Sequence, residues 1–256
     1  LEHAAGRYGV EGVGITLSEN QLAEAQQRLS VLGPGRATAL AADYRMLDAD
    51  APFDKVASIG MMEHVGRAHL PEYFRAVHRL LRPGGLFLNH AIAEVETDKG
   101  TLPWLSRREG GFIDRYIFPD SDLISVGEVA TAAERAGFEI RDLESLREHY
   151  AETLCVWLSR LEARYEEAVA LVGLRRARAY RLYLASSATA FRLGRISVYQ
   201  MLLARRDEAG RARAVPRCRA CWYRPGLGEA TPEPAAATPR SPGAPPPAAE
   251  AGSAAR

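Results

Sequence analysis

Within a span of thirty residues, Glu63 to Ile92, the chain sets out a carboxylate, an imidazole and the turns that could bring them together. Ser58-Ile59-Gly60-Met61-Met62-Glu63-His64-Val65-Gly66 reads as a strand ending in a carboxylate. Leu81-Arg82-Pro83-Gly84-Gly85 reads as a helix closed by a glycine turn, and Leu88-Asn89-His90-Ala91-Ile92 as a second strand ending in a histidine. In an open α/β sheet, ligands bind outside the carboxyl ends of the strands. Glu63 and His90 are therefore expected to face one crevice, where a proton can be moved. Each also has an ordinary reading. An acid such as Glu63 balances the dipole at a helix N-terminus, and His90 suits a strand end with its ring hydrogen-bonded.

The flanking segments supply the elements that must hold this pair. Glu2 to Tyr8 ends a helix at Gly9, and Val10 to Leu17 reads as a buried strand. Ser18 sits at an N-cap with Gln21 three positions on, the spacing of a capping box. The helix it starts runs through Leu22, Ala25, Gln26 and Leu29 to the Gly33-Pro34-Gly35 break. Ala37 to Ala42 is a strand ending at Asp43, Phe53 to Gly60 the next, Leu70 to Leu81 a helix, and Gly85 to Ile92 a strand. Alternating strand and helix is the pattern of a doubly wound parallel sheet. Phe112 to Pro119 is aromatic-rich and irregular. Val126 to Ala136 is a helix closed by Gly137, followed by a strand from Phe138 to Leu143. From Ala151 a helix carries Leu154, Trp157, Leu158, Leu161 and Tyr165 on one face. A helix from Ala177 to Phe191 and a strand from Ile196 to Ala204 complete the pattern. From Gly226 onward Ala, Pro, Gly and Ser dominate, a composition that cannot offset ordering entropy, so residues 226–256 are expected to be a disordered tail.

Composition narrows the classes. With 47% hydrophobic and 25% charged residues the 256-residue chain is ordinary globular material, and a net charge of +1 gives no global field for nucleic acid. No run of eighteen apolar residues exists to span a bilayer. Leu1-Glu2-His3 has no secretory pattern, and a first residue other than Met suggests a longer parent. Three cysteines make no disulfide framework, so a reducing cytosol is the default. Cys218 and Cys221 form a lone C-x-x-C, too few ligands for structural zinc, and no metal is expected.

The ordered blocks resemble the cyclopropane-fatty-acyl-phospholipid synthase family, which includes the mycolic acid cyclopropane synthases. The matching stretches are Val13-Gly14-Ile15-Thr16-Leu17-Ser18, Asp43-Tyr44-Arg45, Phe53-Asp54-Lys55, Ser58 to Gly66, His90-Ala91-Ile92, Phe112 to Pro119, Glu148 to Leu154, and Phe191 to Arg205. The resemblance covers roughly the first 224 residues. It implies a doubly wound, Rossmann-like class I S-adenosylmethionine (SAM)-dependent methyltransferase fold with an inserted helical lipid-binding region. The family's first strand and glycine-rich loop have no counterpart in the chain, and the domain is expected to be a partial one spanning residues 1–225. Many family members carry a cysteine where this chain has Ser187.

What the resemblance implies chemically is methyl transfer to the double bond of an unsaturated acyl chain, then loss of a proton from the added methyl to close a cyclopropane. A bound bicarbonate is expected to take that proton, held by Glu63, His90, Tyr150 and the backbone of Ile92. With Ser187 these make the catalytic set. His90 and Tyr150 can donate to an anion, while Glu63 accepts from its acidic proton. For SAM, the resemblance points to Thr16, Leu17, Ser18 and Gln21 at one strand end and to Asp43, Tyr44 and Arg45 at the next. A methylene- or methyl-branching enzyme and a non-catalytic lipid-binding relic are the alternatives.

Tyr116, Phe118, Trp157, Tyr165, Tyr180, Tyr183 and Phe191 are ordinary core aromatics or the wall of an acyl tunnel, with Tyr150 and Phe191 expected nearest the chemistry. Arginines cluster twice. Seven lie between Ala204 and Arg224 against two acids, and Arg175, Arg176, Arg178 and Arg181 form the second group. A solvated face is the ordinary reading, and docking on anionic lipid the functional one. The expected partners are unsaturated phospholipid acyl chains and a peripheral membrane surface, with no nucleic acid and with a homodimer left open. The expected location is cytoplasmic, on the inner face of the membrane.

Overall fold

Six strands and eight helices alternate among the residues that the computed structural model describes: 1–47, 52–95, 111–119, 121–212, 215, 216 and 219. Helix α1 (Glu2–Tyr8) stops at Gly9, whose φ of 66° is left-handed and costs glycine little. Strand β1 (Gly12–Thr16) leads into α2 (Glu19–Leu29), and β2 (Ala37–Ala41) follows. Then come β3 (Phe53–Ile59), α3 (Leu70–Leu80) and β4 (Leu81–Glu94). A short α4 (Phe112–Tyr116) precedes α5 (Val126–Arg135) and β5 (Phe138–Ser145). Three helices, α6 (Arg147–Ala163), α7 (Tyr165–Val172) and α8 (Leu174–Arg192), lead to β6 (Ile196–Arg205).

The strands form two sheets. β1 and β2 pair in parallel, and the other four run in the order β3-β4-β6-β5. β3 and β4 are parallel, but β6 is antiparallel to both β4 and β5. The expected parallel sheet is thus a mixed one. The link from β5 to β6 is the long α6–α8 excursion, which could have led to either orientation. The strand pattern alone does not choose between them.

The main core lies between α3, α5 and the four-stranded sheet. Leu70, Tyr73, Phe74 and Val77 fall at positions i, i+3, i+4 and i+7 of α3 and are all buried. Tyr73, Phe74, Phe87 and Phe138 meet edge to face or tilted, with ring centroids 5.1–6.3 Å apart. A second core joins α6 and α8 to β6 through Ala151, Leu154, Leu184, Ala188, Phe191 and Val198. No described helix is long and apolar enough to cross a membrane.

Three local expectations change. α3 ends at Leu80, before the Gly84-Gly85 pair, because Leu81 is already extended and pairs with Phe53. Pro83 disfavours helix at the residue before it. Gly85 is required instead by close approach: a Cβ there would lie 2.9 Å from the Arg82 carbonyl and 3.0 Å from that of Asp54. Tyr165 does not continue the face of α6. Arg164, at φ −127° and ψ 34°, breaks the helix, and Tyr165 opens α7. Phe112 to Tyr116 is helical despite its irregular composition. Cys218, Cys221 and the Ala/Pro-rich tail lie outside the described residues.

Candidate active site

Glu63 lies on a 3₁₀ turn, Met62–His64, a few residues past the end of β3, rather than on the strand itself. Its side chain is 6% exposed. The reason it can be buried is a difference in strand length. β3 stops at Ile59, paired with His90, while β4 continues to Glu94. The last rung is Gly60 N–H donating to the His90 carbonyl at 2.9 Å. The next β4 amide facing that side, Ile92 N–H, has no β3 partner and donates to Glu63 Oε1 at 2.7 Å. His90 is consequently mid-strand rather than terminal, at the rung where β4 loses its neighbour.

The turn is fixed from two other directions. Glu63 C=O accepts from Asp122 N–H at 2.6 Å, and Asp122 Oδ2 accepts from Arg67 N–H at 2.9 Å. Beneath it, buried Asn89 accepts from the Tyr73 hydroxyl at 2.8 Å and donates to Met62 Sδ at 3.3 Å. With Oε1 spent, Glu63 Oε2 is buried with no hydrogen-bond partner among the described residues. A buried carboxylate oxygen left in this condition is costly unless something donates to it.

Tyr73, His90 and Tyr150 all feel the Glu63 charge, the last two as candidate site groups. Burial pushes the half-buried His90 imidazole below its ordinary pKa, and Glu63 pulls the other way. Gln200, the cross-strand partner of His90, places its amide nitrogen 3.2 Å from His90 Nδ1. With the amide donating, Nδ1 accepts and the ring proton sits on Nε2. Tyr150, in the first turns of α6, is raised by burial first and then by Glu63 and Tyr180, so it remains a phenol and a donor.

A wall of rings surrounds Tyr150. Phe191 lies 5.1 Å from it and Trp157 6.3 Å, centroid to centroid. Tyr183 touches Phe118 and Tyr180, each at 5.6 Å. Its phenol is pushed up to about 12 by burial, then by Tyr150 and Tyr180, with the buried Ser187 hydroxyl acting oppositely. Tyr116 and Tyr165 are not in this wall. Arg115 and Arg175 each lie 5.5 Å from the Tyr116 ring, and Arg181 is 5.4 Å from that of Tyr165.

The bicarbonate expectation can be tested on these atoms. Glu63 Oε2 suits an acidic O–H, and His90 Nε2–H and Tyr150 O–H suit an anion's oxygens. The Ile92 amide, expected as a fourth contact, is already spent on Glu63. Three of the four groups fit.

The cofactor candidates divide. Thr16 and Gln21 line an open cleft of about 940 Å³ between α1, α2 and β1. Ser18 Oγ accepts from Gln21 N–H at 3.3 Å, half of a capping box. The other half is absent: Ser18 N–H goes to Thr16 Oγ1 at 3.1 Å, and Thr16 donates to Gln21 Oε1 at 2.9 Å. Leu17 is 77% exposed at the strand end. Asp43 is held down to about 2 by the Arg45 guanidinium and amide, both bonded to its carboxylate. It stays ionised, with Arg45 to be shared or displaced by any adenine amino group. Tyr44 meets Tyr73 edge-on at 5.7 Å and packs on the core that contains Met62, next to Glu63. Of the three, Tyr44 is the one that reaches the core beneath the Glu63 turn. These hydroxyl, carboxylate and aromatic groups fit the adenosine end of SAM.

Gln200 and Asp122 join the site without any motif that marks them. Gln200 could have been seen as the polar residue inside the run Ile196-Ser197-Val198-Tyr199-Gln200-Met201-Leu202-Leu203. Asp122 acts partly through its backbone, which leaves no mark in sequence. The arginine clusters also shrink. Arg205 donates to the carbonyls of His78 and Leu81, Arg211 pairs with Asp207, and Arg181 pairs with Glu162. Arg213, Arg217 and Arg224 lie outside the described residues.

The mixed sheet and its crossover helices are the class I SAM-dependent methyltransferase fold. At 32% identity the chain superposes on the cyclopropane synthase MmaA2 from Mycobacterium tuberculosis with a TM-score of 0.73, covering 78% of this chain and 72% of that one. Residues 1–201 match the family described as mycolic acid cyclopropane synthetase, and the chain belongs to it. It is 42% identical to a probable fatty acid methyltransferase of Pseudomonas putida over 78% of this chain and 50% of that one. It is 36% identical to the cyclopropane-fatty-acyl-phospholipid synthase of Escherichia coli K12 over 81% and 51%. The chain spans about half the length of these two relatives.

Proposed function

We propose that this chain carries the catalytic groups of an enzyme that methylates the double bond of an unsaturated phospholipid acyl chain and closes it to a cyclopropane. Bound SAM supplies an electrophilic sulfonium methyl, and bound bicarbonate supplies the base for the added methyl's proton. The chain's own residues hold and shield. Glu63 Oε2 orients an acidic O–H, while His90 Nε2–H and Tyr150 O–H hold the anion's remaining oxygens. Phe191 and Tyr150 present ring faces to a cationic acyl chain, an interaction of about 2 kcal/mol when desolvated. Burial of Glu63 and Phe191 keeps water from quenching that cation. The observation that carries the reading is the buried, unpartnered Glu63 Oε2.

A second reading keeps the same site but ends in a methyl or methylene branch. The probable fatty acid methyltransferase names of the Pseudomonas putida relative and of one from Mycobacterium tuberculosis favour it. For a methylene branch a hydride shifts from the methyl-bearing carbon to the cationic one before the added methyl loses its proton, and a saturated methyl branch also needs a separate hydride donor such as a reduced nicotinamide or flavin. On either reading the protein works from the cytoplasmic side, peripherally on the membrane whose lipids it modifies.

Mass spectrometry of lipids from cells expressing the protein tests both. Lipids heavier by one CH₂ fit a cyclopropane or methylene branch, and NMR of the ring protons separates those two. A further two hydrogens mark a saturated methyl branch. Unchanged lipids in the presence of expressed, folded protein would leave a lipid-binding relic.

A further inference from the structure

The joint between α7 and α8 is built for a surface. Gly173 has φ 81° and ψ 155°, a region essentially reserved for glycine. The sharp turn leaves residues 170–176 all exposed. Leu171 is 84% exposed, Val172 48% and Leu174 47%, three apolar side chains on one knuckle. Directly behind them come Arg175, Arg176 and Arg178. None of these forms an ion pair among the described residues, although Arg175 lies over the Tyr116 ring. No Asp or Glu occurs from Ala168 to Arg192.

A solvated helix face does not explain this arrangement. Cations in the first turn of a helix oppose its dipole, and α8 opens with arginines and no acid. Large apolar side chains left this far in solvent gain nothing from it. Apolar residues at the tip, with arginines just behind that form no ion pair among the described residues, match an anionic bilayer, where side chains enter the acyl boundary and guanidiniums meet phosphates.

We propose that the α7–α8 knuckle docks on anionic lipid, Leu171, Val172 and Leu174 entering the interface and Arg175, Arg176 and Arg178 binding headgroup phosphates. The proposal rests on the reading of the protein as an enzyme of membrane lipids. It also gives α8 a second role. The helix that meets the lipid continues to Tyr183, Ser187 and Phe191, so an acyl chain drawn from the bilayer would follow it to Glu63.

Sedimentation of the full chain with vesicles tests the docking. One set is phosphatidylcholine alone, and the other contains phosphatidylglycerol as well. Arg176→Ala/Arg178→Ala should weaken binding to the anionic set about thirtyfold, at about 1 kcal/mol per arginine. Leu171→Asp/Leu174→Asp should weaken it at least tenfold. Arg75→Ala/Arg135→Ala, on the α3–α5 face, should bind like the parent. Circular dichroism checks that each variant folds. The proposal is overturned if the parent does not bind anionic vesicles, or if knuckle variants bind as it does. It is also overturned if the leucine pair instead abolishes self-association, seen by sedimentation velocity without lipid. Methyl transfer from SAM to detergent-dispersed lipid separates the two readings. Its absence with knuckle-dependent binding sinks the enzymatic one alone, and its presence with knuckle-independent binding sinks the docking alone.

Discussion

The two sheets of this molecule are built on different terms. Among residues 1–47, which hold β1, β2, α1 and α2, only Ala5, Leu29 and Ala39 are buried. Their polar links are mostly exposed pairs, such as Arg28–Glu2 at 2.8 Å, typically worth 0–1 kcal/mol. The four-stranded sheet instead buries Phe74, Phe87 and Tyr73 completely and carries Glu63 on its margin. Preorganised proton chemistry needs rigid, dry support. Ligand recognition draws on regions that open at low cost. The contrast sets the buried core and the groups proposed for proton chemistry in one half, and the groups proposed for SAM in the other.

The sharpest way to break that contrast is to remove one large apolar side chain from each half. Phe87→Ala should cost about 3–5 kcal/mol. Leu40→Ala in β2, already 40% exposed, should cost less than about 1 kcal/mol. Urea unfolding followed by circular dichroism measures both, and similar losses would erase the distinction.

Glu63→Gln addresses chemistry directly. The amide oxygen can still accept from Ile92 N–H, so the melting temperature should hold. Turnover should fall a hundredfold or more, about 2.7 kcal/mol of barrier. SAM affinity by titration calorimetry should not change, because its candidate contacts lie chiefly in the other half. A parallel drop in affinity and turnover would show that the halves are not separable.

Ser18→Ala removes the cap of α2 and should cost about 1 kcal/mol, locally. Hydrogen exchange is the measurement: amides of α2 should speed up while those of β4 stay as they were. Acceleration throughout would mean that the sheets open as one.

The smallest effect is graded with pH. Burial holds His90 and His78 below the ordinary value of 6.5, with the Arg205 charge adding to the depression at His78. As pH falls below that value the unfolded chain takes up protons before the folded one does. The stability these rings contribute is therefore complete above about pH 6.5. It is lost as pH drops through their folded-state values. Urea midpoints between pH 7 and 5 should decline, and His78→Asn should flatten the slope. A midpoint that rises on acidification would contradict the sign.

Much of this was legible in sequence because local chemistry and tertiary structure agree. Ser18 does cap α2, and α3 does form from Leu70, one residue shorter than its sequence suggests. What escaped depended on partners distant in sequence. The direction of β6 is set by pairing with β4, and Arg205 points at carbonyls on α3 and β4. Asp43 can be read as an acceptor, yet only the fold shows that Arg45 already occupies it. The residues of the site could be named from motif and resemblance. That Ile92 serves Glu63 rather than a ligand required knowing where β3 stops.

That early stop has a consequence for how such a site can change over time. Glu63 completes a rung that a peptide group would otherwise fill, so its carboxylate is indexed to the ladder of β4 rather than to a loop. Loops drift by insertion and deletion, but a ladder moves only in whole steps, each of which turns every side chain to the opposite face. Variation in product is then expected in what approaches Oε2, from α6, α8 or the Phe118 segment, while the carboxylate itself stays at one fixed coordinate of the sheet.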